Sequence, residues 1–293
     1  MPTALIVALL MVVLGAGLAT VLAVANRYLY VYEDPRIDDV EEMLPSSNCG
    51  ACGTPGCRAF AELAVAGKIS PAKCTVNSPD MIEAIARFLG VAAGAEEKRV
   101  ARLACAGGSH VARNQASYAG LATCRAAAMV AGGPKACSWG CLGFGDCMTV
   151  CDFGAIHMDL HGLPVVNPDR CTACNACVEE CPKDLFSLLP VSQRLWVACK
   201  SEAEGDLAEA VCAVACTACG RCAADAPGTI EMINNLARID YSRRPGKLRA
   251  PIERCPTGAI ILLADHGDAI RGAAAKKIIR KAPLPVGAEA AAV

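Results

Sequence analysis

The chain has 293 residues, 20 of them cysteine, with 5 Phe, 5 Tyr, 2 Trp and a formal net charge of −1. That length holds one large domain or a few small ones, and a charge near zero excludes both a strongly basic nucleic-acid binder and an acidic disordered chain. Large core-building side chains are thin for the length, so covalent or metal links are expected to hold small modules together.

Residues 4–25 carry no charge. At 1.5 Å per residue they reach about 30 Å, enough to cross the hydrocarbon core. A cleaved signal peptide is the alternative, and Ala23-Val24-Ala25 resembles a cleavage site. No Lys or Arg precedes the run, however, and it exceeds a typical signal core. A retained single-pass anchor over 1–27 is the expectation. Arg27 follows the span with nothing basic before it, which favours a cytoplasmic location for everything C-terminal. Tyr28, Tyr30 and Tyr32 sit where interfacial aromatics are found.

Residues 28–45 read as a linker with a short helix around 38–44. A small four-cysteine domain over 46–90 follows, with Cys49, Cys52, Cys57 and Cys74. Gly50, Gly53 and Gly56 permit tight loops there. Ser78-Pro79 predicts a capped helix running to about Leu89. Residues 91–136 are rich in Ala and Gly, with only Cys105 and Cys124, and are expected to connect or cover. Two cysteine-dense modules occupy 137–190 and 191–264. Residues 265–293 read as a solvated, flexible tail with Lys276, Lys277, Arg280 and Lys281.

The two modules carry an internal repeat. Four segments echo one another, starting at Cys151, Cys181, Ala226 and Cys255. The first pair flanks a strand-like stretch with a turn at His161-Gly162, and the second pair flanks one with a turn at Asn234-Asn235. Each module is thus a pseudo-twofold repeat of cysteine loop, short helix and strand, the layout of a two-cluster ferredoxin. The expected fold class is α+β.

Cys171-x2-Cys174-x2-Cys177-x3-Cys181-Pro182 is the bacterial ferredoxin run for a [4Fe–4S] cluster, in which the fourth cysteine binds the neighbouring cluster. Disulfides do not suit a chain read as cytoplasmic, and zinc ribbons use two separated pairs rather than this run. Crossed ligation then assigns Cys171, Cys174, Cys177 and Cys151 to one cluster. Cys137, Cys141, Cys147 and Cys181 go to another, although its spacing is x3, x5, x3 and Asp152 replaces the usual Pro. In the second module Cys216, Cys219, Cys222 and Cys255 form one complete set. The positions of the other set hold Ala226, Pro245, Leu248 and Pro251, so one whole cluster has been deleted. The deleted loop is basic, with Arg238, Arg243, Arg244, Lys247, Arg249 and Arg254; it is either a solvated loop or a docking patch for an acidic electron carrier. For Cys49, Cys52, Cys57 and Cys74 zinc is a rival on spacing alone, while the company of ferredoxin modules favours a [4Fe–4S] cluster. Four clusters are expected in all. Cys105, Cys124, Cys199 and Cys212 lack loop spacing and read by default as buried thiols, with a fifth cluster or shared metal as the alternative. There is no dinucleotide fingerprint and no P-loop, and His110, His157, His161 and His266 form no cluster in sequence.

The joint order of these motifs resembles the B subunits of the Rnf complex, the membrane-bound ferredoxin:NAD oxidoreductase. The resemblance rests on CGACGTPGCRAFAE from 49, ACAGG from 104, YAGLATCRAA from 118 and the cysteine runs from 132 to 182 and 210 to 222. NNLARIDY from 234 and CPTGAI from 255 complete it. It implies an electron-relay subunit that takes electrons from soluble reduced ferredoxin. They would pass through serial clusters to membrane partner subunits that carry flavin and NAD chemistry and translocate Na+ or H+. No NAD or flavin site is expected on this chain. A membrane-tethered redox sensor or reductant of a regulatory iron–sulfur protein is the competing function, and a zinc-stabilised scaffold is a third.

Overall fold

The computed structural model describes residues 2–29, 33–243, 248–264 and 269–286. Tyr30, Tyr32, Arg244, Pro245, Lys247 and His266 lie outside these residues. The first element is a single long helix, α1 (Pro2–Leu29). Its stretch Leu5–Leu29 is long and apolar enough to cross a membrane, and none of it is buried inside the protein. Leu9, Met11, Val13, Leu18 and Leu22 are all exposed. A helix that is apolar all round and lacks a protein partner needs lipid to cover it. Thr20 donates its hydroxyl to the Ala16 carbonyl at 2.7 Å, so its polar group stays satisfied within the helix.

A small helical unit follows, with α2 (Arg36–Glu42), α3 (Cys57–Val65) and α4 (Pro79–Leu89). The Ser78 side chain accepts the Met81 amide, Pro79 occupies the first turn, and Gly90 closes α4 in the left-handed conformation. Val40, Phe60, Ala61, Ala64 and Ile85 form the core, together with Cys57 and Cys74. Burying a residue such as Phe60 or Ile85 contributes about 1.5–3 kcal/mol, so this small unit has little stability to spare beyond what its cysteines add.

The first ferredoxin-type module reaches back beyond position 137. Its outer strand is β1 (Arg99–Leu103), which pairs antiparallel with β4 (Phe186–Pro190), Val100 opposite Leu189 and Leu103 opposite Phe186. Between them lies the hairpin of β2 (Ile156–Met158) and β3 (Pro164–Val166). The Asp159 carboxylate accepts the amides of His161 and Leu163, both at 2.8 Å, and fixes the turn. Helices α5 (Cys124–Met129), α6 (Asp146–Thr149) and α7 (Ala176–Glu180) complete the module. So part of the stretch expected to be a connector supplies a strand and a helix. Sequence patterning missed β1 because RVARL has only one clear alternation and its partner lies almost ninety residues on.

The second module repeats the plan. β5 (Leu195–Val197) pairs with β8 (Ile260–Leu263), and β6 (Ile230–Ile233) forms a hairpin with β7 (Leu236–Ile239). Asn234 and Asn235 both take positive φ, at 49° and 60°, as a two-residue hairpin turn requires. Helices α8 (Gly205–Val211), α9 (Arg221–Asp225) and α10 (Ala250–Glu253) lie alongside. Residues 269–286, expected to be solvated, are partly tied down. β9 (Ala269–Ile270) adds a third strand beside β8, and the Leu284 amide donates to the Ser109 carbonyl at 2.9 Å.

Residues 104–113 stitch the modules together. The Ala104 amide donates to Leu185, the Ala106 amide to Ala198 and the Arg113 amide to Val211. Trp196 spans the junction, with Nε1 donating to the Leu103 carbonyl at 2.8 Å. His110 and His161, separate in sequence, stack here with ring centroids 3.7 Å apart. Gly143 lies close by at φ 81°, where an added Cβ would come 2.9 Å from the Gly162 carbonyl oxygen. Gly143→Ala therefore adds left-handed strain to a backbone clash, a loss of about 2–3 kcal/mol. Thermal unfolding followed by circular dichroism should show a clearly lower midpoint; an unchanged one would contradict the packing described.

Candidate metal centres

Cys49, Cys52, Cys57 and Cys74 line one cavity of ≈ 300 Å3, part of it open to solvent. Gly50 and Gly53 turn the loop with φ 70° and 84°. The Asn48 side chain accepts the Cys57 amide at 2.8 Å, setting the first turn of α3. Thr54 holds the loop from inside, with its hydroxyl 3.0 Å from the Cys52 sulfur and donating to the Gly56 carbonyl at 3.1 Å.

In the first ferredoxin-type module Cys151 joins Cys171, Cys174 and Cys177 around a cavity of ≈ 330 Å3. Cys181 crosses the other way and joins Cys141 and Cys147 around a cavity of ≈ 340 Å3. The pseudo-twofold relation extends to the sulfurs. The Ala155 amide donates to Cys151 Sγ at 3.3 Å, and the Leu185 amide donates to Cys181 Sγ at 3.5 Å, each four residues on.

The arrangement departs from the expected sets in one member. Cys137 does not reach the cavity of Cys141, Cys147 and Cys181; Cys124 does. Cys137 lines a separate cavity with Cys105, Cys199 and Cys212. The cause is local. The Gly140 amide closes a turn on the Cys137 carbonyl at 3.0 Å, which sets Cys137 off from Cys141. Asp146, the first residue of α6, reaches across to cap α5, accepting the amides of Cys124 at 2.9 Å and Arg125 at 3.2 Å. That contact fixes Cys124 beside Cys147. The irregular x3, x5 spacing was the only sequence signal that this loop does not wrap its cavity alone.

In the second module Cys216 and Cys222 are buried in the core with Cys255 packed against them, and Cys219 stands on the short loop between Cys216 and Cys222. The loop copies that of the first module. Ala173 and Asn175 flank Cys174 with φ 58° and 74°, and Ala218 and Gly220 flank Cys219 with φ 55° and 69°. At the positions where the second set of ligands is expected to be lost, Ala226 is buried in the module core beside Ile252, Leu248 packs against them, and Pro251 is fully buried.

Burial pushes the thiols of Cys141, Cys147 and Cys177 up to about 12 and that of Cys222 up to about 11. Such thiols stay protonated on their own, and bound iron is the positive charge that would draw them to thiolate. Among the described residues no three His, Cys, Asp or Glu side chains converge as ligands of a single metal ion would. The thiols instead ring cavities, which suits a polynuclear cluster better than one zinc ion. Successive sets adjoin. The Thr75 hydroxyl, in the wall of the first cavity, donates to the Thr172 carbonyl, in the wall of the second, at 2.6 Å. Cys147, Cys171 and Cys177 share one buried core, with Cys151 and Cys181 packed against it.

Comparison with known proteins agrees with this chemistry. A family model described as "Putative Fe-S cluster" matches residues 44–76, and one described as "4Fe-4S binding domain" matches residues 164–186. Over 84% of its length the chain is 38% identical to the B subunit of the Na(+)-translocating ferredoxin:NAD(+) oxidoreductase complex of Acetobacterium woodii, covering 74% of that protein. It is 38% identical over 92% of its length to the B subunit of the proton-translocating ferredoxin:NAD(+) oxidoreductase complex of Clostridium ljungdahlii, covering 95% of that protein. It is 34% identical over 85% of its length to the B subunit of the ion-translocating oxidoreductase complex of Methanosarcina acetivorans, covering 94% of that protein.

Proposed function

The chain belongs to the family of Rnf complex B subunits, and from that premise we propose that it takes electrons from soluble reduced ferredoxin and relays them to partner membrane subunits. It is an iron–sulfur electron-transfer subunit of a multi-subunit, membrane-associated oxidoreductase. The finer reading is supported by one observation above all: the cysteine-lined cavities lie against one another, the first joined to the second by the Thr75–Thr172 hydrogen bond, and the thiols of the second and third sharing one buried core. When bound, the clusters supply one-electron chemistry without proton transfer.

The chain's own residues hold and tune them. Thiols of Cys49, Cys52, Cys57 and Cys74 would hold the cluster nearest the membrane helix in sequence. Those of Cys151, Cys171, Cys174 and Cys177 would hold a second, those of Cys124, Cys141, Cys147 and Cys181 a third, and those of Cys216, Cys219, Cys222 and Cys255 a fourth. Amides such as those of Ala155 and Leu185 donate to sulfur and ease reduction by offsetting negative charge. Apolar linings exclude water. Flavin and NAD chemistry is assigned to partner subunits, and so is ion movement; the relatives' names divide between Na+ and H+, so the ion does not carry over. Arg27 after the helix, with nothing basic before it, supports a cytoplasmic side for the iron–sulfur domains.

Mixing anaerobically purified chain with reduced ferredoxin should develop low-temperature EPR signals of reduced clusters. A colourless protein carrying zinc would end this reading. The basic loop gives a second test. Arg243 already pairs with Asp240 at 3.3 Å and Arg254 with Asp225, so these cations are also structural. Reversing Arg243, Arg244 and Lys247 to Glu should slow reduction by an acidic carrier on the order of tenfold at low salt and flatten its salt dependence. Equal rates in wild type and variant at every ionic strength would remove this loop as the docking patch.

A further inference from the structure

Cys105, Cys137, Cys199 and Cys212 come from four separate segments, yet all four line one cavity of ≈ 340 Å3, part of it open to solvent. We infer that these four thiols hold a fifth [4Fe–4S] cluster at the junction of the two ferredoxin-type modules. The inference rests on the iron–sulfur assignment of the other cavities, and goes beyond it by placing a cluster where no ferredoxin loop motif exists.

The four thiols are brought together by backbone contacts rather than by spacing. Cys105 lies between Ala104, whose amide donates to Leu185 of the first module, and Ala106, whose amide donates to Ala198 of the second. Cys199 closely follows β5. Cys212 follows α8, held by a bridge between Ala112 and Cys212 and by the Ala213 amide donating to Val111 at 3.0 Å. Cys137 enters from the first module.

Free buried thiols pack as small apolar groups and leave no void. This cavity matches in size the cavities of Cys49, of Cys124 and of Cys151, at ≈ 300, 340 and 330 Å3. Its wall is shaped to sulfur. A Cβ on Gly107 would lie 3.2 Å from Cys212 Sγ and 3.7 Å from Cys105 Sγ. Amides are aimed at the sulfurs: Ser201 and Cys216 both donate to Cys199 at 3.4 Å, and Cys141 donates to Cys105 at 3.5 Å. Lys135 lines the same cavity, buried, with Nζ donating to the Gly107 carbonyl at 2.6 Å. Among the described residues no carboxylate pairs with it. A buried ammonium without a counter-charge costs several kcal/mol, and a cluster on four thiolates carries net negative charge to compensate it. As at the other sites, no three of the thiols converge on one point as zinc ligands would.

Position supplies the function. The Cys141 amide on the Cys105 sulfur joins this cavity to the set of Cys124, Cys141, Cys147 and Cys181. The Cys216 amide on the Cys199 sulfur joins it to the set of Cys216, Cys219, Cys222 and Cys255. The two modules are thereby in contact through sulfur ligands on both sides. Loading consumes two ferrous and two ferric ions with four sulfides and exchanges four S–H bonds for four S–Fe bonds, the protons leaving to solvent. A cluster held here would accept one electron from one neighbour and pass one to the other.

The test is iron and sulfide analysis of the full chain purified anaerobically, with Cys52→Ala as a control on a separate site. Wild type should hold about twenty iron atoms at four per cluster, the Cys105→Ala/Cys212→Ala double variant about sixteen, and the control about sixteen. A double variant with wild-type iron beside a control that loses four overturns the fifth site and leaves the other assignments standing. Zinc replacing the four irons also overturns it. A control and a double variant that both keep wild-type metal would defeat the iron–sulfur assignment itself. Lys135→Met keeps all four thiols and decides the matter where the double variant fails to fold. One EPR-monitored midpoint should move to more negative potential while the others hold; no moved midpoint overturns the inference.

Discussion

Cys124→Ser should remove about four iron atoms per chain, although Cys124 belongs to no cysteine motif. Its thiol lines the cavity of Cys141, Cys147 and Cys181, held there because the Asp146 carboxylate caps α5. The hydroxyl of serine is a harder and less acidic donor than a thiol, so a three-thiolate set would lose its cluster on purification. Asp146→Ala should produce a milder version of the same defect. It leaves all four thiols in place but loses the capping bonds, worth about 1 kcal/mol of helix stability, and cluster loss should show as slower reconstitution rather than absence. Iron quantitation beside the EPR spectrum reads both. Retention of full iron by Cys124→Ser, with loss in Cys137→Ser of the same signal, would restore the grouping that sequence spacing suggests.

The second large effect concerns α1. Removal of residues 2–29 should move the chain from the membrane pellet to the soluble fraction with its iron content intact. The twelve Leu, Ile and Val side chains of residues 5–25 contribute roughly 4–7 kcal/mol to insertion. None of the span Leu5–Leu29 is covered by protein, so nothing in the iron–sulfur domains is lost with it. Fractionation of the expressed variant and its iron analysis give the answer. A truncated chain still found in the pellet, and released only by detergent, would mean that another surface anchors it. N-terminal sequencing of the wild type would show a start near residue 26 if the segment were a cleaved leader.

Much of the molecule is legible from residues close in sequence. The run from Cys171 to Cys181 announces its chemistry because three ligands on one short loop fix both spacing and loop conformation. The helix Pro79–Leu89 is written in Ser78, Pro79 and Gly90, each of which acts on the backbone within one turn. The hairpin at Asn234-Asn235 follows from two residues that tolerate positive φ. The sequence pattern predicts one cluster site fewer in the second module, and Ala226, Leu248 and Pro251, the residues at the expected ligand positions, pack in or against that module's apolar core. The long-range contacts were not legible. β1 pairs with β4 across nearly ninety residues, and no local periodicity encodes such a partner. The seat of Cys124 depends on a carboxylate 22 positions away.

The 20 cysteines and their dense runs determined by themselves that this is an iron–sulfur chain on an apolar N-terminal helix. Composition and short spacing act through local loops, and the relay's membership in its family follows from them. Which thiol faces which cavity was decided only by the tertiary structure. Cys124 replaces Cys137 in one set, and Cys137 turns to Cys105, Cys199 and Cys212 in another. The reason is physical. A ferredoxin loop wraps its own ligands, whereas a site at a junction is assembled from segments that meet only after both modules have folded and the strap of residues 104–113 has bonded to each.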